Sequence, residues 1–194
     1  MKSIDKALRV VRRALRRESF DLVPGGMIAG GIRVEGLYVE GVNGGDWRYH
    51  KNLLPDNGIL NILDVVFGPT SKSAAHYLAP FSGATAPAAG WTATNFASNS
   101  SEITSLSEGF SNVTRPACTF GSAAAGAINN YASKAVFNVV CSTYIDVTGL
   151  GLLTVATRGG TTGVLLSAVK FGTARRLNNG DEWSAGYQIS LSDS

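Results

Sequence analysis

Cysteine, histidine and methionine are scarce in this sequence, with two of each in 194 residues. Cys118 and Cys141 are too few for a disulfide framework and read as free, core-filling thiols. His50 and His76 stand alone, with no Cys-x-x-Cys, His-x-x-x-His or His-Glu pair. A zinc site therefore has no signature, and neither a metal nor a cofactor is expected. Long apolar runs are missing as well. No stretch of about 18 apolar residues exists, so no segment reads as a membrane-spanning helix. Arg and Lys interrupt every short apolar run near the start, so no secretory leader is expected. The triplets Asn99-Ser100-Ser101 and Asn112-Val113-Thr114 are then chance matches to the glycosylation sequon. The glycine clusters Gly121–Gly126 and Gly159–Gly163 lack the Lys-Ser or Lys-Thr of a phosphate cradle, and the acids are scattered rather than paired. No set of residues has the parts of a catalytic centre, and the chain is not expected to be an enzyme.

What the chain has is glycine and apolar residues. Glycine occurs 23 times, hydrophobic residues make up 44% and charged residues 16%. Such a composition can bury a core and favours short strands joined by tight turns. Residues 32–40 read as a strand, Asn43-Gly44-Gly45-Asp46 as a turn, and 47–54 as extended or irregular. Residues 56–67 form one short helix, with Ile59, Ile62, Leu63 and Val66 on an apolar face that must pack on the body and Gly68-Pro69 as its stop. Strands follow at 76–81, 117–120, 133–141 and 164–171. Residues 143–156 make an apolar stretch that Gly149 and Gly151 bend. Residues 82–101, rich in Ala, Gly, Thr, Ser and Asn, read as a long surface loop in which Trp91 is the one candidate surface contact. Asn179-Gly180 is a hairpin signal, and after it Trp183, Ala185, Tyr187, Ile189 and Leu191 alternate with polar or small residues. The fold class expected is mainly β: an antiparallel β-sandwich or jelly-roll-like body over 32–194.

Ahead of that body lies the sharpest local feature. Residues 1–17 carry seven cations against Asp5, a net of +6, which leaves −3 for the remainder of a chain whose total is +3. Ile4, Leu8, Val11 and Leu15 fall on one face of a helix read over 2–19. Lys6, Arg9, Arg12, Arg13, Arg16 and Arg17 lie around the rest. Residues 1–24 are thus a basic amphipathic arm, and the glycine-rich residues 25–31 are a joint. Four uses of the arm remain open: docking into a partner protein's groove, packing on its own body, neutralising nucleic-acid phosphates, or lying on an anionic membrane. The stripe lacks Trp and Phe, which counts against the membrane, and no recognition motif backs nucleic acid.

From Asn52 onward the chain resembles a family of small virion structural proteins of tailed bacteriophages. Three segments carry the resemblance: Asn52-Leu53-Leu54-Pro55-Asp56-Asn57-Gly58-Ile59-Leu60 with the helix that follows, Phe110-Ser111-Asn112-Val113-Thr114-Arg115-Pro116, and Thr157 to Ser167 running on to Asn179-Gly180-Asp181. The resemblance implies a β-sandwich that assembles on the particle, foremost as a capsid cement or decoration protein bound to the major capsid protein and to copies of itself. A neck, tail or fibre position, or a nucleic-acid accessory using the basic arm, are the alternatives. A carbohydrate-binding module or a hydrolase built on a β-sandwich, with Trp91 stacking on sugar, is a further rival.

Overall fold

A computed structural model describes residues 32–193. The arm, with Ile4, Lys6, Leu8, Arg9, Val11, Arg12, Arg13, Leu15, Arg16 and Arg17, and the joint lie outside them. The described chain runs β1 (Ile32–Val42), β2 (Gly45–Lys51), α1 (Asp56–Val66), β3 (Tyr77–Phe81), α2 (Ala93–Ser100), β4 (Gly109–Phe110), β5 (Ala127–Asn129), β6 (Ala135–Val140), β7 (Tyr144–Leu153), β8 (Leu165–Asn178) and β9 (Glu182–Asp193). The fold is mainly β, in two antiparallel sheets. The larger has the order β2-β1-β9-β6-β4, and the smaller β3-β7-β8. Strand β9 organises the larger sheet. One edge pairs with β1 along its length, while β6 takes residues 182–185 of the other edge and β5 takes 188–190.

Local chemistry explains the elements that sequence reading finds. Asn43 and Gly44 both have positive φ, 50° and 76°, as the two-residue turn joining β1 to β2 requires. Glycines 149 and 151 let β7 accept aromatic rings: a Cβ at Gly149 would sit 2.2 Å from Phe81 Cζ, and one at Gly151 2.6 Å from Phe96 Cε2. The expected bend is a bulge, in which residues 171–174 of β8 face Thr148 alone, between the pairs Gly149–Lys170 and Val147–Arg175.

The main core lies between the sheets, with Tyr38, Phe137, Trp183 and Tyr187 from one side against Leu150, Leu152, Val169 and Leu177 from the other. A second core lies on the far face of the small sheet, under α2. The small sheet is therefore buried on both faces, which is why β7 reads as a continuous apolar run rather than an alternation.

Four expectations need correction. Residues 82–101 are not one surface loop, because α2 occupies 93–100 and makes a second internal helix. Its start is a capping box in which Asn95 stands where Glu or Gln is usual, the Thr92 amide donating to Asn95 Oδ1 at 2.8 Å. Trp91 is not a surface contact. It is 5% exposed and meets Phe81 and Phe96 edge to face, with centroids 6.3 and 6.2 Å apart. Asn179-Gly180 makes a turn, with Gly180 at φ 85°, but no paired hairpin follows. The turn carries the chain from the small sheet to the large one and docks on β6 through Gly180 N–H to the Val139 carbonyl, 3.1 Å. Finally, residues 117–120 hold only an isolated bridge, Tyr77 to Ala117.

A buried ionic knot joins the sheets at β8. Glu40 of β1 is 0% exposed. It accepts hydrogen bonds from Arg175 Nε and Nη2 at 2.8 and 2.9 Å and from Trp183 Nε1 at 2.8 Å, with His50 Nε2 at 3.4 Å. Burial works to raise its pKa, but hydrogen bonds from His50, Arg175 and Trp183 hold it below the ordinary glutamate value. The folded chain thus binds this proton less readily than the unfolded chain. Stability from the site is complete above the unfolded value, about 4.3, and drains as pH falls through the lower folded value. Glu40→Gln is expected to cost about 1–3 kcal/mol at pH 7, because it removes the buried one of Arg175's two carboxylate partners and leaves only the exposed Asp46. It should also make the acid limb shallower. Urea unfolding of both proteins between pH 7 and pH 3 checks both effects.

Candidate protein-binding surface

Helix α1 is placed by its flanks rather than by its own cap. Pro55 stands at the N-cap with no side-chain bond. Instead, Leu53 exchanges backbone hydrogen bonds with Ala168 of β8, at 2.9 and 3.0 Å, and the Asp56 amide donates to the Ala89 carbonyl at 3.0 Å. The helix then lies against β8 through Gly58, the one residue of α1 that is buried. A Cβ there would sit 2.3 Å from the Leu166 carbonyl oxygen, so no other residue lets the two backbones approach this closely.

The face turned to the body is Gly58, Asn61, Ile62 and Val65, at helical spacing, the last three half-buried. This differs from the expected face. Of Ile59, Ile62, Leu63 and Val66, only Ile62 is half-buried. Ile59 is 40% exposed, Leu63 48% and Val66 62%, and Leu60 and Phe67 are 59% and 83% exposed. The helix is apolar on both sides, so periodicity marks its apolar positions without saying which of them pack. Asp56, Asn57 and Asp64 share the outer side, yet so many large apolar side chains exposed together are unusual on a surface helix.

Between α1 and the body runs a groove of about 390 Å³. Ile62, Val65 and Val66 form one wall and Ile128 and Ile189 the other, with Leu152, Leu166, Cys118 and Tyr187 also lining it. Three of its ionisable side chains, Cys118, Tyr187 and His76, are shifted toward their neutral forms, and Lys72 also lines it. Burial pushes the Cys118 thiol and the Tyr187 hydroxyl each up to about 12. Burial, with the nearby Lys72 charge, lowers His76. Cys118 therefore carries almost no thiolate at neutral pH and is not poised as a nucleophile. Tyr187 is fixed by Asn52, whose Nδ2 donates to its hydroxyl at 3.2 Å in space that a side chain at Gly36 would fill. Both cysteines are free and buried. The site's chemistry is that of an apolar seat with polar groups at its margin.

Elsewhere, two segments singled out in the sequence meet. Arg115 is 1% exposed and grips Glu102 with two hydrogen bonds, 2.8 and 2.7 Å. The Gly159 amide donates to the same carboxylate at 3.0 Å. Arg158 donates to the carbonyls of Phe110, Ile103 and Ser105, each at 2.9 Å. These arginines tie loops together and leave no donor set open to a ligand. Sequence reading quotes both segments without pairing them, since Arg115 and Arg158 work through partners 13 to 55 residues away. Among the described residues no group of three or more His, Cys, Asp or Glu could hold a metal ion, and no helix is long and apolar enough to cross a membrane.

No family model, curated protein or solved structure matches the chain. Function must therefore be argued from α1 and its surroundings. Gly58→Ala is expected to destabilise the chain by about 1–3 kcal/mol through overpacking against Leu166. The loss should begin at α1. Thermal unfolding read together with hydrogen exchange of residues 56–67 checks this, and an unchanged Tm would mean that the helix does not sit on β8 as described.

Proposed function

We propose that this chain is a structural protein that works by contacting other protein subunits, and that it belongs to a tailed-phage virion as a capsid cement or decoration protein. The observation that carries the proposal is the outer face of α1, where Leu60, Leu63 and Phe67 stand exposed together beside the polar Asp56, Asn57 and Asp64. The resemblance of the Asn52–Leu60 segment to phage virion proteins supports the same reading, because that segment leads into and begins this helix. The partners are then the major capsid protein and further copies of this chain.

Magnitudes favour binding by repetition. Burying a large apolar side chain yields about 1.5–3 kcal/mol. Three such side chains only begin to offset the roughly 4–15 kcal/mol lost on association. One copy therefore binds modestly, and a symmetric lattice with many sites makes occupancy persistent.

Copy number tests the proposal. Quantified in purified particles, the chain should stand to the major shell protein in a ratio near one or a simple fraction such as about one third, as lattice symmetry dictates. A few per cent would place it in the neck, tail or fibre, and absence would remove the virion reading. The double variant Leu60→Glu, Phe67→Glu should keep its Tm, since both residues are exposed, while its share of the particles falls about tenfold or more.

A further inference from the structure

We propose that the groove between α1 and the large sheet is the seat of the chain's own N-terminal segment, with Ile4, Leu8, Val11 and Leu15 turned into it. This rests on the groove and the chain's path, not on the virion reading. Strands β1 and β9 carry the apolar surface past the groove. Their inward-facing positions run Tyr187, Ile189, Leu191 on β9 and Tyr38, Gly36, Val34 on β1, paired in register. Tyr38 and Tyr187 are buried and Ile189 lines the groove, yet Leu191 is 50% and Val34 36% exposed. Among the described residues, the apolar surface thus continues uncovered from the groove to the end of the sheet. That end, the pair Ile32–Asp193, is where the described chain begins, so residues 1–31 are joined to the body at the end of a surface that no described residue covers.

Reach and chemistry agree. Gly36 lies opposite Ile189, only four residues from Ile32, about 13 Å along the strand. The joint at 25–31 can span up to about 23 Å when extended, enough to turn the arm back over the groove. As a helix, the stripe from Ile4 to Leu15 would run about 16 Å, close to the length of α1 itself. The stripe is aliphatic, and the groove offers it aliphatic walls, with Lys72 the one lysine or arginine in the lining. So short a tether gives an effective concentration on the order of millimolar, which favours a chain's own arm over that of a second copy. Docked this way, the arm closes the groove while its arginines point outward, available to an acidic partner.

Two measurements on the full chain decide it. In the double variant Leu8→Asp, Val11→Asp, amide exchange at residues 56–67 and 127–129 should rise roughly ten- to a hundredfold, the equivalent of uncovering one Leu side chain. The control Arg9→Ser, Arg13→Ser, on the opposite face, should leave exchange unchanged. Separately, Leu8→Cys with Ile62→Cys should form a disulfide within one chain under mild oxidation, seen as a faster-migrating monomer. Exchange that is the same in the Asp variant and the parent chain overturns the proposal. So does a disulfide found only between two chains, which would give the groove to a neighbour's arm.

Discussion

The carboxylate of Glu40 is the point on which this two-sheet fold depends. It is fully buried, and it binds one side chain from each of three other strands: Arg175 of β8, Trp183 of β9 and His50 of β2. Arg175 belongs to the small sheet and the other three to the large one, and Asp46 of β2 holds the same guanidinium, so this knot fixes how the two sheets face each other. The bulge at residues 171–174 makes this possible, because the extra length of β8 brings Phe171 onto the ring of His50, 4.1 Å away, and aims Arg175 at Glu40. A buried pair of this kind adds little net stability compared with an apolar replacement. Its removal by halves is costly, and it penalises other registers of the two sheets.

The body this produces contrasts with its first helix. Among the described residues no buried side-chain nitrogen or oxygen lacks a hydrogen-bond partner. Arg115 with Glu102 and Arg158 with four loop carbonyls complete the same pattern in the loops. Helix α1 departs from it, held by a glycine and by backbone bonds at its entry while its outer side chains have no cover. A body satisfied inside and a helix with exposed apolar side chains outside are the two features that the proposed role would use.

Strands and tight turns were legible because their signals are local. The alternation after Trp183 and the Asn43-Gly44 turn each report a backbone state that neighbouring residues impose. What escaped depends on tertiary context. Helix α2 has the composition of a loop and is held by a Thr92–Asn95 cap and by Phe96 under Trp91, so that Trp91 is core although its sequence neighbours are small residues with no strand or helix pattern. Asn179-Gly180 turned the chain as expected, yet the flanking strands found partners in different sheets. The second half of β8 was hidden by Gly172 and by two adjacent arginines, of which Arg175 points into the knot and Arg176 out to Asp146. The apolar positions of α1 were legible as well, but periodicity cannot choose the packed face of a helix that is apolar on two.

The claim that matters most is that the outer face of α1 meets another protein subunit. Hydroxyl-radical footprinting of Leu60, Leu63 and Phe67, on the free chain and on particles carrying it, tests this directly. Strong labelling of the free chain, falling severalfold on assembly while exposed Tyr49 and Tyr144 stay labelled, is the predicted result. Equal labelling of the three side chains in both states would contradict it and leave α1 without the role argued for it.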